Sequence, residues 1–517
     1  MSNNGKELEN LNINDLDVEL AEATGFHVYT VDASDSCYYA VITTARGSAN
    51  RTGFTTGNAL AQPVAEIVTD PLPVLVGTGS DGYHNTSRIY TQFMDPLNWN
   101  ETMHGYAYNY SVTVPQGYDP DAADLLPLTV HIEGKGSRYA LTEAYTSGIY
   151  VSIDARYIYG DGEQDWYWGF SCHHDFRNAA NFDVAPGPIC NFSEVRMLRA
   201  VRDTLLDPYY RSHADPTRIY AYGHSMGGSG VLSWGMHYPG IFTLVYASEG
   251  MTDYAADPVW RNENIGHFGP LALNNPVLNL GVRWLDGGET HETIRDLDGM
   301  GIWDYLDHKT IACSPEYQGI DTAYIIAAHG TADTIIQPSS QGYPFYDCMN
   351  RGRRGFTAEI NASGHTWQNY TPSADIDFRI FTFPWNDRED AMPNTPGLDR
   401  NFPLQSTIAF ANATGSTLGV TTGLAHYNST LQWDLKTIVD QVNRYQVDLY
   451  ARKTDQTADV TPRRFVNFVV TPGASYRFTN QRSGATGKVT ADSAGALTIP
   501  AVAISTMGSR LVIVPEP

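Results

Sequence analysis

The stretch Arg218-Ile-Tyr-Ala-Tyr-Gly-His-Ser-Met-Gly-Gly-Ser-Gly230 decides the fold. Its first five residues read as a short apolar strand. Gly223-His224-Ser225-Met226-Gly227 breaks that strand, and Gly228 to Tyr238 suits a helix that stops at Pro239-Gly240. Ile241 to Ala247 reads as the next strand. Strand, serine turn, helix, strand is the setting of the G-x-S-x-G nucleophile elbow. The serine must stand on a sharp turn so that its oxygen clears the sheet, and side-chain-free residues on either side let strand and helix approach closely. A chain with 46 glycines produces bare G-x-S-x-G by chance. The flanking elements are what favour Ser225 as the nucleophile over an incidental serine in a turn.

A hydroxyl is a weak nucleophile until a base takes its proton. With an elbow of this kind, the acid and the histidine are expected downstream of the serine. Thr322-Ala-Tyr-Ile-Ile-Ala-Ala328 reads as a buried strand running into His329-Gly-Thr-Ala-Asp333. Asp333 therefore sits in the loop just past a strand end; the bland alternative is an Asx-type turn. Other downstream acids lie in irregular, acid-rich stretches with no strand leading into them. After Asp333 the chain has two histidines, His365 and His426. Phe356-Thr-Ala-Glu-Ile-Asn361 reads as a strand, and His365 lies in the loop beyond it, next to Gly364. His426 falls in a separate β-rich region. The expected unit is Ser225 as nucleophile, His365 as base and Asp333 as the group that fixes its tautomer.

Leu126-Pro-Leu-Thr-Val-His-Ile132 reads as a buried strand running into Glu133-Gly-Lys-Gly-Ser137. A Gly-rich loop in this position supplies one N–H of an oxyanion hole, and the N–H after the nucleophile, that of Met226, supplies the other. Gly134, Lys135 and Gly136 are each candidates for the first donor. An ordinary glycine turn after a strand is the alternative.

These segments resemble the α/β-hydrolases of esterase type. The chain is similar to the feruloyl esterase, acetylxylan esterase and polyhydroxybutyrate depolymerase-like group through Asp215-Pro-Thr-Arg-Ile-Tyr-Ala-Tyr-Gly-His-Ser-Met-Gly-Gly228, His329-Gly-Thr-Ala-Asp333 and Gly364-His365-Thr-Trp367. The Gly-His-Ser-Met-Gly-Gly segment also resembles cutinase-like polyester hydrolases. The likeness spans about residues 105–385, and Glu133 departs from the usual His-Gly start of the oxyanion segment. It implies a mostly parallel sheet with helices on both faces and ester hydrolysis through an acyl-enzyme, without a cofactor.

At 517 residues the chain exceeds one ordinary domain, and 42% hydrophobic content is enough for a large core. Its formal charge of −24 repels nucleic acid and anionic lipid, so neither is an expected partner. A small-molecule or polymeric ester is. No run of about twenty apolar residues marks a membrane span. The start, Met1-Ser-Asn-Asn-Gly-Lys6, lacks the apolar core of a signal peptide. Cys172 with Cys190 and Cys313 with Cys348 form two local pairs, leaving Cys37 over. Two disulfides of this kind fit a secreted or periplasmic protein; five reduced thiols are the alternative.

Along the chain, residues 1–22 read as a flexible acidic segment and 23–87 as a small fibronectin III-like β-sandwich with a Gly/Asp/Asn-rich link, Gly77 to Ser87. Residues 88–386 alternate strands with helix-compatible stretches, which implies an α/β catalytic domain. Residues 387–517 read as an all-β, sandwich-type domain. Two long insertions, Asp154 to Ile189 and Glu249 to Gln318, are expected to shape a substrate cleft. They carry Trp166 and Trp168, which join His224 and Trp367 as candidate substrate contacts. Rings that only plug a lid onto the core are the alternative. His173-His174-Asp175 is not expected to bind metal, because adjacent histidines seldom converge on one ion without further ligands. The leading expectation is a serine carboxylic ester hydrolase for feruloyl, aryl or polyester substrates. A prolyl-oligopeptidase-type serine peptidase and a non-catalytic binding protein on the same fold are the alternatives.

Overall fold

The computed structural model describes residues 31–516 apart from the segments 81–85, 104–106, 137–147, 154–164, 176–185, 286–296, 318–320, 368–403 and 417–422 and some single positions and pairs. The acidic segment 1–22 and part of each insertion lie outside the described residues.

A ten-stranded sheet forms the centre. Its strands, numbered in chain order, are β1 (Val74–Ser80), β2 (Thr86–Phe93), β3 (Ala107–Val114), β4 (Leu126–Ile132), β5 (Ile149–Ile153), β6 (Ala214–His224), β7 (Leu244–Ser248), β8 (Tyr324–Gly330), β9 (Phe356–Asn361) and β10 (Ala425–Tyr427). Their order across the sheet is β10-β9-β8-β7-β6-β4-β5-β3-β2-β1. The run from β9 to β5 pairs in parallel. The outer strands join antiparallel. A mostly parallel sheet with the serine turn at the end of a central strand is the α/β-hydrolase fold.

The inner strands are buried along most of their length, as parallel strands covered on both faces must be. Their side chains alternate with period two. Ile219, Ala221, Val245, Ala247, Ile325 and Ala327 point to one core. That core takes residues from α1 (Phe192–Leu206), α2 (Met226–His237), α3 (Pro258–Phe268), α4 (His308–Cys313) and α5 (Gly342–Arg351), including Leu198, Trp234, Phe268, Ile311 and Phe345. Tyr220, Tyr222, Leu244, Tyr246, Tyr324 and Ile326 point the other way, into a second core. There they meet Ile408, Phe410, Trp433, Val447 and Val460 of the C-terminal region. The described long helices thus cover one face, and β structure covers part of the other.

That C-terminal β structure has a three-stranded sheet (Ile408–Ala411, Gln456–Pro462, Ile499–Ile504) and a five-stranded one (Leu431–Gln441, Arg444–Ala451, Ser509–Pro515, Ser475–Asn480, Thr486–Thr490). Arg464 ties it to the half that carries the ten-stranded sheet, with Nε 2.5 Å from Asp321 Oδ2 and Nη2 donating to the Thr322 carbonyl at 2.8 Å. β10 leaves this region altogether and pairs with β9. The two halves are interleaved rather than joined end to end at residue 387.

The N-terminal region differs from the expected sandwich over 23–87. Among the described residues it holds two short pairs, Ser36–Cys37 with Val64–Ala65 and Thr44–Ala45 with Ser48–Ala49. The stretch read as a link contributes β1. β2, rich in β-branched and aromatic residues, pairs with β3 along its whole length and so belongs to the catalytic sheet.

The cysteines divide in two. Cys172 and Cys190 are disulfide-bonded, beside the antiparallel pair Phe170–Ser171 and Ile189–Cys190. Cys313, at the end of α4, and Cys348, on α5, face each other with their sulfurs 2.7 Å apart. Cys37 is a free thiol.

Candidate active site

Ser225 lies between β6 and α2 with φ 58° and ψ −119°, a conformation that L-residues rarely adopt. Close packing allows nothing else. A Cβ on Gly223 would stand 2.4 Å from Gly227 C, and one on Gly227 would stand 2.3 Å from the Ile132 carbonyl oxygen. The Ser225 N–H donates to the Ser248 carbonyl at 2.9 Å, so the end of β7 also props the turn.

Asp333 and His365 arrive from the loops after β8 and β9. The Ser225 hydroxyl donates to His365 Nε2 at 2.8 Å, and His365 Nδ1–H donates to Asp333 Oδ2 at 2.7 Å. This assigns the tautomer with the proton on Nδ1, because a carboxylate only accepts. Asp333 Oδ1 accepts the N–H groups of Ile335 at 2.6 Å and Ile336 at 3.0 Å. Burial alone would push this carboxyl up. The His365 bond, a bond to Glu249 and the two N–H groups outweigh it and hold Asp333 at about 2. Asp333 is thus an anion at any pH at which the protein works.

The other predicted residues divide by burial. Gly134 is the loop residue against the nucleophile: a Cβ there would stand 3.5 Å from the His224 carbonyl oxygen and 3.9 Å from Ser225 Cβ. Met226 opens α2 directly after Ser225. Lys135 points away to Glu263 of α3, Nζ to Oε2 at 2.5 Å, while Gly136 has φ +84° and open space around it. His224 packs 4.8 Å from the His365 ring and 5.1 Å from Trp367. Burial first, and the neighbouring His365 second, lower His224 to about 4, so it is neutral near pH 7.

Trp166 and Trp168 are corrections. They are 1% and 0% exposed, so both are core residues rather than substrate contacts. Trp168 packs edge-on to Phe268 and Tyr305; Trp166 packs edge-on to Trp260. Their exclusion from the cleft follows from α3, which closes over them. The sequence reading missed what α3 brings to the site. Partly exposed Trp260 donates through Nε1 to the Ile335 carbonyl at 2.8 Å, in the Asp333 loop, and lies 5.2 Å from Lys135 Nζ. Glu263 takes both Lys135 and the Trp166 Nε1–H, the latter at 3.1 Å. One helix thereby ties the loop after β4 to the loop that carries Asp333. Its start was legible, since Asp257 before Pro258 is an N-cap followed by proline.

Glu249 was also missed. It is fully buried beside Asp333, and its chemistry is taken up below. Among the described residues, the group tight enough to hold a cation is Glu249, Asp333 and His365, with ligand atoms within 4.8 Å. Both ring nitrogens of His365 are already engaged there, by Ser225 and Asp333.

No protein-family model matches the chain, and no curated protein matches it. Solved structures do. The S-formylglutathione hydrolase from Agrobacterium tumefaciens shares 11% identity over 56% of this chain and 92% of its own, with a TM-score of 0.39. Acetyl xylan esterase 1 from Thermoanaerobacterium sp. shares 14% over 59% of this chain and 84% of its own, at 0.34. The acylaminoacyl peptidase of Pyrococcus horikoshii shares 13% over 60% of this chain but 48% of its own, at 0.32. Among the described residues no helix is long and apolar enough to cross a membrane.

Proposed function

We propose that the protein is a serine hydrolase that cleaves carboxylic esters through an acyl-enzyme. The observation that carries this reading is the continuous chain of hydrogen bonds from Ser225 through His365 to Asp333. His365 Nε2 takes the Ser225 proton as Oγ attacks the ester carbonyl. Asp333, already anionic, steadies the imidazolium. The N–H of Met226 and one from Gly134–Gly136 receive the developing oxyanion. His365 returns its proton to the leaving alcohol, and then activates water to release the acid. Neutral His224 and partly exposed Trp367, packed beside His365, offer flat ring surface near the serine, which favours aryl esters. The acidic surface disfavours polyanionic substrates.

A panel of p-nitrophenyl esters set against peptide-amide substrates tests the reading. Ester turnover that falls about 10⁴-fold or more in Ser225→Ala, nearly as far in His365→Ala and somewhat less in Asp333→Ala is expected. His426→Ala should leave it unchanged. Turnover surviving within tenfold in Ser225→Ala, or preferential cleavage of the amides, overturns it.

A further inference from the structure

Glu249 follows β7, on the backbone that supports the nucleophile: the preceding residue, Ser248, accepts the Ser225 N–H at 2.9 Å. It is 0% exposed, and its backbone sits at φ 52°, where a non-glycine residue is strained. That strain aims its side chain into the site. Glu249 Oε2 accepts the Gly330 N–H at 3.2 Å, and its carboxyl stands within 4.8 Å of an Asp333 carboxylate oxygen.

Two buried carboxylates this close repel each other unless one of them carries a proton, which can then bridge the pair. Asp333 receives N–H donors from Ile335, Ile336 and His365, all of which favour its charge. The proton therefore falls to Glu249. We propose that Glu249 is a positioning residue for the triad, a neutral acid that donates its O–H to the Asp333 carboxylate and keeps that anion oriented and weakly basic while His365 carries the proton. The proposal deepens the serine-hydrolase reading and rests on it.

The surroundings agree with a neutral Glu249. Tyr246 of β7, Tyr346 of α5 and Glu359 of β9 lie close enough to interact with one another or with it. Both phenols are kept protonated by burial. His329 of β8 is held neutral by burial, at about 4, with its nitrogens on Tyr346 Oη and the Gly250 carbonyl. His224 is neutral as well.

Two substitutions separate donation from packing. Glu249→Gln keeps a donor for Asp333 and an acceptor for Gly330, so kcat and the pH profile should stay within roughly threefold of the parent. Glu249→Leu removes the donor. Its kcat should fall roughly 10- to 100-fold with KM little changed, and the acid limb of kcat/KM should move to higher pH as Asp333 becomes more basic. A leucine variant with parental kcat and profile, or a glutamine variant as impaired as the leucine one, overturns the proposal. Two readouts need no turnover. Infrared difference spectra of parent and Glu249→Gln at neutral pH should show a protonated carboxylic acid in the parent alone; its absence refutes the idea even if the leucine variant does not fold. NMR titration of His365 in the Ser225→Ala background should show the same upward shift on adding Glu249→Leu. Failure of the hydrolase reading would appear separately, as parent turnover indifferent to Ser225→Ala.

Discussion

Ser225 holds its strained backbone because its neighbours leave no room for relaxation. The contact of Gly227 with the Ile132 carbonyl makes this testable: a methyl group there would have to push β4 and α2 apart. Gly227→Ala should destabilise the protein by about 1–3 kcal/mol in urea unfolding and abolish labelling of Ser225 by a fluorophosphonate. Parental labelling would mean that the elbow tolerates a wider turn. Chain order and strand ends single out Ser225, Asp333 and His365, each where a predicted strand stops, and the three side chains are hydrogen-bonded in the structure. Glu249 gave no such signal. It ends a strand too, but only the register of β7 against β8 puts its side chain beside Asp333. Trp166 and Trp168 were legible as aromatic residues in an insertion but not as core, because their burial depends on how α3 folds back over them.

At the scale of elements, the parts that build the site are pinned by cross-links from outside the sheet. The Cys172–Cys190 disulfide fastens the first insertion beside the small core of Met94, Met103, Phe170 and Phe192, which leads directly into α1. Closing a loop of this length typically contributes about 2–4 kcal/mol. Replacing both cysteines by serine should therefore lower the melting temperature while leaving the Ser225–His365 geometry in place. Mass spectrometry of an unreduced digest should find this cross-link. The inner strands were legible as apolar runs between glycine turns. β10 was not, because an edge strand is assigned by the partner it finds and β9 lies far from it in sequence; β1, which pairs with the adjacent β2, was hidden by the glycines that made its second half read as a link.

For the whole molecule, buried neutral histidines set the response to acid. Burial lowers His131, His224 and His329 to about 4 and His267 to about 3. In the unfolded chain they titrate near 6.5. Between these values the unfolded state binds more protons, so stability should be level above about pH 7 and fall as pH drops from 6.5 towards 4. Each histidine adds up to roughly 1.4 kcal/mol per pH unit. Asp333 acts lower down: its contribution is present above about 3.9 and lost as pH falls through 2. Urea titrations at stepped pH check this, and stability unchanged from pH 7 to 5 would contradict it. A second prediction concerns the C-terminal half. Removing it from Leu404 onward would bare Tyr220, Tyr222, Leu244, Tyr246, Tyr324 and Ile326 and strip β10 from the sheet edge. The remainder should aggregate; a soluble, monomeric, Ser225-reactive fragment would contradict that.

Modules that pass between genes do so because their hosts fold without them. In this chain the host borrows a strand from the passenger, and the passenger's hydrophobic residues close over the host's tyrosines. A recombination point between β9 and β10 would leave two incomplete pieces. Selection should therefore transmit the two halves together, in this order, and a descendant that lost the second would need new residues to cover the exposed face before it had any serine chemistry to keep.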